Sequence, residues 1–149
     1  MKPCVCLLAI APLLGQETAS LQSVKRIYID GLGDKPQMSE IKKDLAADLR
    51  HSGAFDVADS AAHADATLTG HGDTWLKGYY SLNPRAGTAP SSGEAVYGGY
   101  LSVEIKDKAG MTLWSYLATP HGSSRNIARD LSKDVVKHLV TADSLHGKH

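Results

Sequence analysis

Cysteine is almost absent from this chain. Two occur in 149 residues, Cys4 and Cys6, both near the amino end. That excludes a disulfide framework further along. It also excludes a thiolate metal site, because no other cysteine exists to complete the Cys-x-Cys pair. An excess of charge of either sign is missing too, since 16 basic residues balance 16 acidic ones. Such a balance supplies neither the basic field that favours nucleic acid nor the acidic field of a chaperone for basic partners. No apolar run is long enough to cross a bilayer as a helix, which takes about 20 residues; the run at residues 4–14 falls well short. Repeats, blocks of like charge and the composition shift of a second domain are also lacking. What remains is a neutral chain of single-domain length that can bury a core. It is expected to meet a protein partner through a local patch, with no cofactor and no nucleic acid.

The first residues are a separate case. Met1-Lys2, the apolar run and then Gly15-Gln16 follow the basic, apolar and small-residue order of a secretory signal peptide. The expectation is a signal over 1–20, cut after Gly15 or Ser20, with a single domain at 21–145 and a tail at 146–149. The competing reading is a buried first strand or helix. Both cysteines sit at the start of the run, not at its end after a small residue, so a lipid anchor is not supported. Export places the protein in the periplasm or outside the cell, with no transmembrane segment in the mature chain.

The clearest local pattern is a hairpin at residues 99–120. Two alternating runs flank Asp107-Lys108-Ala109-Gly110, a turn that Asp opens and Gly closes. The simplest register pairs Ile105 with Leu113, Val103 with Ser115 and Leu101 with Leu117. It puts these on the core face and Tyr100, Trp114 and Tyr116 on the other, because a slip of one residue exchanges the faces. Before the hairpin, residues 24–30 read as a strand and 31–36 as a loop. A helix follows, capped by Ser39 and ended by Gly53, with Met38, Ile41, Leu45 and Leu49 on one stripe. Residues 55–59 read as a short second strand, reached by a parallel crossover. A third strand runs from Ala64 to about Gly78, where Gly70 and Gly72 share the core face and imply close approach of a helix or a bend. Residues 79–96, rich in Gly, Pro and Ser, read as a long mobile loop. A second helix starts near Arg125 with the stripe Ile127, Leu131, Val135 and Leu139, and the chain after Thr141 is expected to fray. The fold class expected is α+β, in the order β-α-β-β-β-β-α, one mixed sheet with both helices on one face.

A signal-like start followed by this order resembles the small α+β domains of bacterial envelope accessory proteins. Examples are the amino-terminal domain of the Tol-system propeller protein, the LPS-assembly lipoprotein, and related curli-export and penicillin-binding-protein-activator modules. The residues that carry the resemblance are VKRIYID at 24–30, ADATLTGHG at 64–72, and AGMTLWSY at 109–116 followed by the last helix. It covers residues 24–140, and it departs from several of these proteins in lacking their lipid-anchor cysteine. The resemblance implies a non-enzymatic periplasmic role in supporting a larger envelope machine, with an envelope protein as partner.

Constellations with chemical potential are few. Gly31-x-Gly33 lies between a strand and a helix, as a phosphate-cradling loop would, but Pro36 stands where the third glycine belongs. It reads as an ordinary turn. His71 and Asp73 share a strand face, the pairing a zinc site or general base would use. They carry the alternative function, a metal-binding or hydrolytic protein, although His63, His121 and His138 lie on other elements and no third partner is evident. Ser123 and Ser124 precede a helix and read as caps, having no Gly-x-Ser-x-Gly context. No catalytic residue is assigned. The aromatics Trp75, Tyr100, Trp114 and Tyr116, with Tyr28 beside them, are the candidate partner-binding residues on an open sheet face.

Overall fold

The computed structural model describes residues 20–80 and 93–146. The expected signal segment, residues 81–92 of the expected loop and the last three residues lie outside the described residues. A 3-10 turn, Leu21–Ser23, leads into β1 (Arg26–Ile29), α1 (Pro36–Ser52) and β2 (Asp56–Val57), and a second, Ala61–His63, follows. Then come β3 (Ala66–Tyr80), β4 (Glu94–Asp107), β5 (Thr112–Ala118) and α2 (Ile127–His146). The strands form one mixed sheet in the order β2-β1-β3-β4-β5. β1 is parallel to β2 and β3, and the remaining pairs are antiparallel. The fold is α+β, with both helices on one sheet face.

The helices follow from their stripes. Met38, Ile41, Leu45 and Leu49 of α1 are buried, as are Leu131, Val135 and Leu139 of α2. Each such side chain contributes about 1.5–3 kcal/mol when fully withdrawn from water. α1 begins at Pro36, earlier than a Ser39 cap would start it. A proline suits the first helical position because its missing N–H has no intrahelical partner to lose there. Gly53 ends the helix in the left-handed conformation at φ 68°. At α2 the cap is Asn126, whose Oδ1 accepts the Arg129 N–H at 3.1 Å. The Ser124 hydroxyl instead donates to Asp130 at 2.5 Å, so the expectation that it caps the helix is corrected. Buried Ser132 of α2 donates to Asp48 of α1 at 2.7 Å and ties the two helices together. α2 continues as far as His146, through residues expected to fray.

The glycines on the core side of β3 do what small residues there must. A Cβ at Gly72 would lie 3.2 Å from Met38 Sδ, so α1 comes down onto the strand at that point. β1 contributes buried Ile27 and Ile29 on the same side. Asp65 fixes its start by accepting the Lys25 and Arg26 N–H groups, each at 2.9 Å.

The hairpin turn forms as the sequence implies. Asp107 Oδ1 accepts the N–H groups of Ala109 at 2.9 Å and Met111 at 2.8 Å. Lys106 then faces Thr112. Beyond that pair the register differs from the simple expectation. A β-bulge gives β5 one extra residue, Leu113, and the pairs become Ile105 with Trp114, Val103 with Tyr116 and Leu101 with Ala118. β4 keeps its expected core face of Leu101, Val103 and Ile105, while β5 is turned over. Trp114 and Tyr116 therefore lie on the helix-covered side, and Leu117 is 56% exposed. The physical reason is area, since an aromatic ring against a helix removes more apolar surface from water than Ser115 or Leu117 would.

β3 and β4 also run longer than expected. Residues 79–80 and 94–96, read from sequence as loop, are paired strand.

Candidate binding surface

The open face of the sheet is mostly polar. It carries Tyr28 from β1, and Thr67, Thr69, His71, Asp73 and Trp75 from β3. Opposite the last three stand Ser102, Tyr100 and Gly98 of β4. His71 meets the Tyr100 ring edge-on, with centroids 6.2 Å apart. Asp73 is engaged by Lys35 at 2.6 Å, and this ammonium is the main reason its carboxyl stays below the ordinary carboxylate range. Glu104 is held the same way by Lys106 at 2.8 Å. His71 and Asp73 thus share a face as the sequence implies, but each has a different neighbour. His63 is elsewhere, 3.1 Å from Asp59. Among the described residues no three His, Cys, Asp or Glu side chains gather where they could hold a metal.

Of the four candidate aromatics, two stand where the sequence placed them and two do not. Trp75 and Tyr100 lie on the open face. Trp114 and Tyr116 belong to the other side, because the bulge inverts β5. Tyr116 stacks on His138 of α2 at 4.2 Å and 20°, and on Trp114 at 5.8 Å and 19°. Its hydroxyl donates to Asp134 at 3.1 Å. Burial first, and then the hydrogen bond to Asp134 and its charge, push the pKa of the Tyr116 hydroxyl above its ordinary value. His138 is fixed by donating from Nδ1 to the Asp134 carbonyl at 2.9 Å. These rings are a seam between sheet and helix.

The sequence reading missed the end of the β3–β4 ribbon. β1 pairs with β3 only as far as Leu68, and β5 leaves β4 at Leu101. Beyond these points β3 and β4 continue as an arm out to Tyr80 and Glu94, joined by one further backbone bridge, between Tyr97 and Ser124. The arm carries four large exposed apolar side chains: Trp75 (49%), Leu76 (48%), Tyr79 (57%) and Tyr80 (56%). Gly98 makes room for the indole, since a Cβ there would lie 2.9 Å from Trp75 Nε1. The Arg125 guanidinium lies over the Tyr80 ring at 5.6 Å and reaches Glu94 at 3.3 Å. On the helix side, Thr74, Leu76 and Tyr97 wall a cleft of about 480 Å³ against Ile41, Arg125 and Ile127. The signal available in the sequence was Tyr79-Tyr80 following the alternating third strand, masked by the Gly- and Pro-rich residues after them.

Among the described residues no helix is long and apolar enough to cross a membrane. No protein-family model matches the chain, and no curated protein does. Among solved structures it is similar to a PelC dodecamer from Paraburkholderia phytofirmans. The identity is 20%, with a TM-score of 0.52, over 81% of this chain and 89% of that one. The likeness is one of fold.

Proposed function

We propose that this chain is a non-enzymatic, exported accessory module that binds another envelope protein through the open sheet face and the arm that extends it. The observation that carries this reading is the set of exposed apolar side chains that the arm presents on its two faces, Trp75, Leu76, Tyr79 and Tyr80. Clustered exposed aromatics mark contact surfaces, and Trp and Tyr supply affinity at low entropic cost. A chain with no net charge has little long-range steering, so desolvated contacts of this kind must hold the partner. Tyr100 on the open face adds to the surface, whereas Trp114 and Tyr116 are spent against α2. The element order, which resembles envelope accessory domains, supports the same reading. So does the likeness in fold to a chain whose structure is a dodecamer.

The test has two parts. Protein recovered from its own cell is weighed intact, with loss of the first 15 or 20 residues expected; a cytoplasmic species that keeps Met1 through Gln16 refutes export. A photo-crosslinker is then placed at position 79 on the arm and, as a control, at position 62 beside the opposite edge. An adduct is expected only from the arm, and Trp75→Ala should weaken it about 30-fold, the effect of one ~2 kcal/mol hot spot. Equal adducts from both positions, or an adduct indifferent to Trp75→Ala, refute the surface.

A further inference from the structure

The sheet ends in two unlike edges. At one end β2 is two residues long and carries Asp56. At the other, β5 is seven residues long and reads Thr-Leu-Trp-Ser-Tyr-Leu-Ala, with no charge, proline or glycine. Among the described residues nothing pairs with its outer side. Such an edge presents a row of free backbone N–H and C=O groups, and protein chains ordinarily blunt it with charge, proline or shortness. β5 uses none of these, and its bulge falls at its beginning, leaving the stretch from Trp114 onward regular. Leu117, 56% exposed, lies on this strand opposite Ser102.

We propose that β5 pairs antiparallel with β5 of a second copy, about a two-fold axis through Ser115, joining two sheets into one. In this register Ser115 meets Ser115 on the open face, and Trp114 of each copy meets Tyr116 of the other on the helix-covered face. Leu117 is drawn in beside the axis. Two features select a second copy as the occupant. An uncharged strand meets its own image without like charges opposite each other, which is the usual bar to self-pairing. The head-to-tail alternative, β5 against β2, offers only two residues to pair, whereas the two-fold pairs the regular stretch on both sides of Ser115 and closes. This interface is separate from the arm, so it stands or falls independently of the partner-binding reading.

The test is the mass of the full chain in solution, by sedimentation or light scattering at tens of micromolar. Twice the 15.9 kDa chain mass is expected. Ser115→Lys puts two ammonium groups opposite each other at the axis while facing Glu104 within its own sheet, which favours the folded monomer. It should weaken the dimer about fivefold or more, and Ser115→Glu should do the same. An equimolar mixture of the two variants should recover the dimer mass as a heterodimer, while Trp75→Ala should leave the mass unchanged. A monomeric wild type refutes the proposal, as does a Ser115→Lys dimer of undiminished strength or a mixture of folded variants that stays monomeric. Should Ser115→Lys fail to fold, Leu117→Lys places the charge at an exposed position beside the axis and is read in the same way.

Discussion

The inverted face of β5 makes two neighbouring residues behave oppositely when truncated. Tyr116 is half-buried, stacked at 4.2 Å on His138, with its hydroxyl on Asp134. A fully buried aromatic costs about 3–5 kcal/mol on truncation to Ala. Half of that, with the stack and a solvent-weakened hydrogen bond included, gives about 2 kcal/mol for Tyr116→Ala. Leu117 is 56% exposed on the opposite face, so Leu117→Ala should cost less than about 0.5 kcal/mol. Urea unfolding reads both, at protein concentrations low enough that association contributes nothing. With a slope of about 1–1.5 kcal/mol per molar, the Tyr116→Ala midpoint falls by about 1.5 M and that of Leu117→Ala hardly moves. The simple hairpin register predicts the reverse, with Leu117 in the core at about 2–5 kcal/mol and Tyr116 on a wet face. A Leu117→Ala loss equal to or larger than that of Tyr116→Ala would sink the bulge and everything argued from it.

Two further outcomes test the sheet. Gly70→Ala should lower stability by about 1–3 kcal/mol in a thermal melt, because its Cβ would strike the Ser102 carbonyl and press on Val103 Cγ1. Asp65→Asn should destabilise at pH 7, since the Arg26 and Lys25 N–H groups hold the Asp65 carboxyl below its ordinary range in the folded chain. A lowered folded value means the stabilisation is fully present above the unfolded value of about 3.9 and is lost as pH falls through the folded one. The gap between wild type and variant in pH-dependent melts should therefore close below about pH 4.

The helices were legible because their burial has one solution. Met38, Ile41, Leu45 and Leu49 recur at helical spacing with charged residues between them, and no other period fits. The β5 register was not legible, because alternation has two solutions there. Leu113 and Leu117 offer one apolar face and Trp114 and Tyr116 the other, and a bulge leaves no mark on alternation. The decision is made by what α2 presents, His138 and Asp134, which lie some twenty residues further on. The α1 start was misplaced because Ser39 is a good cap in isolation, yet Pro36 already fits the first helical position. The arm was hidden for a related reason, since pairing of Tyr80 with Glu94 is set across the sheet and not by local composition. Trp75 and Tyr100 were correctly placed because β3 and β4 keep a strict period of two through that region.

The β3–β4 ribbon is covered at one end and mostly exposed at the other, and this makes its stability graded. At Leu68 and Ile105 it lies under both helices with strands on either side; at Tyr80 and Glu94 each strand pairs with the other alone, and the exposed Arg125 side chain is the further contact. Opening therefore costs close to the global unfolding free energy at the base and far less at the tip. In hydrogen exchange, the same two strands should run from amides that exchange only on global unfolding to amides that exchange by local fraying. A partner that grips Trp75 and Tyr79 has to order only the outer few rungs, so its binding would appear as slowed exchange spreading inward from the tip while the base stays unchanged.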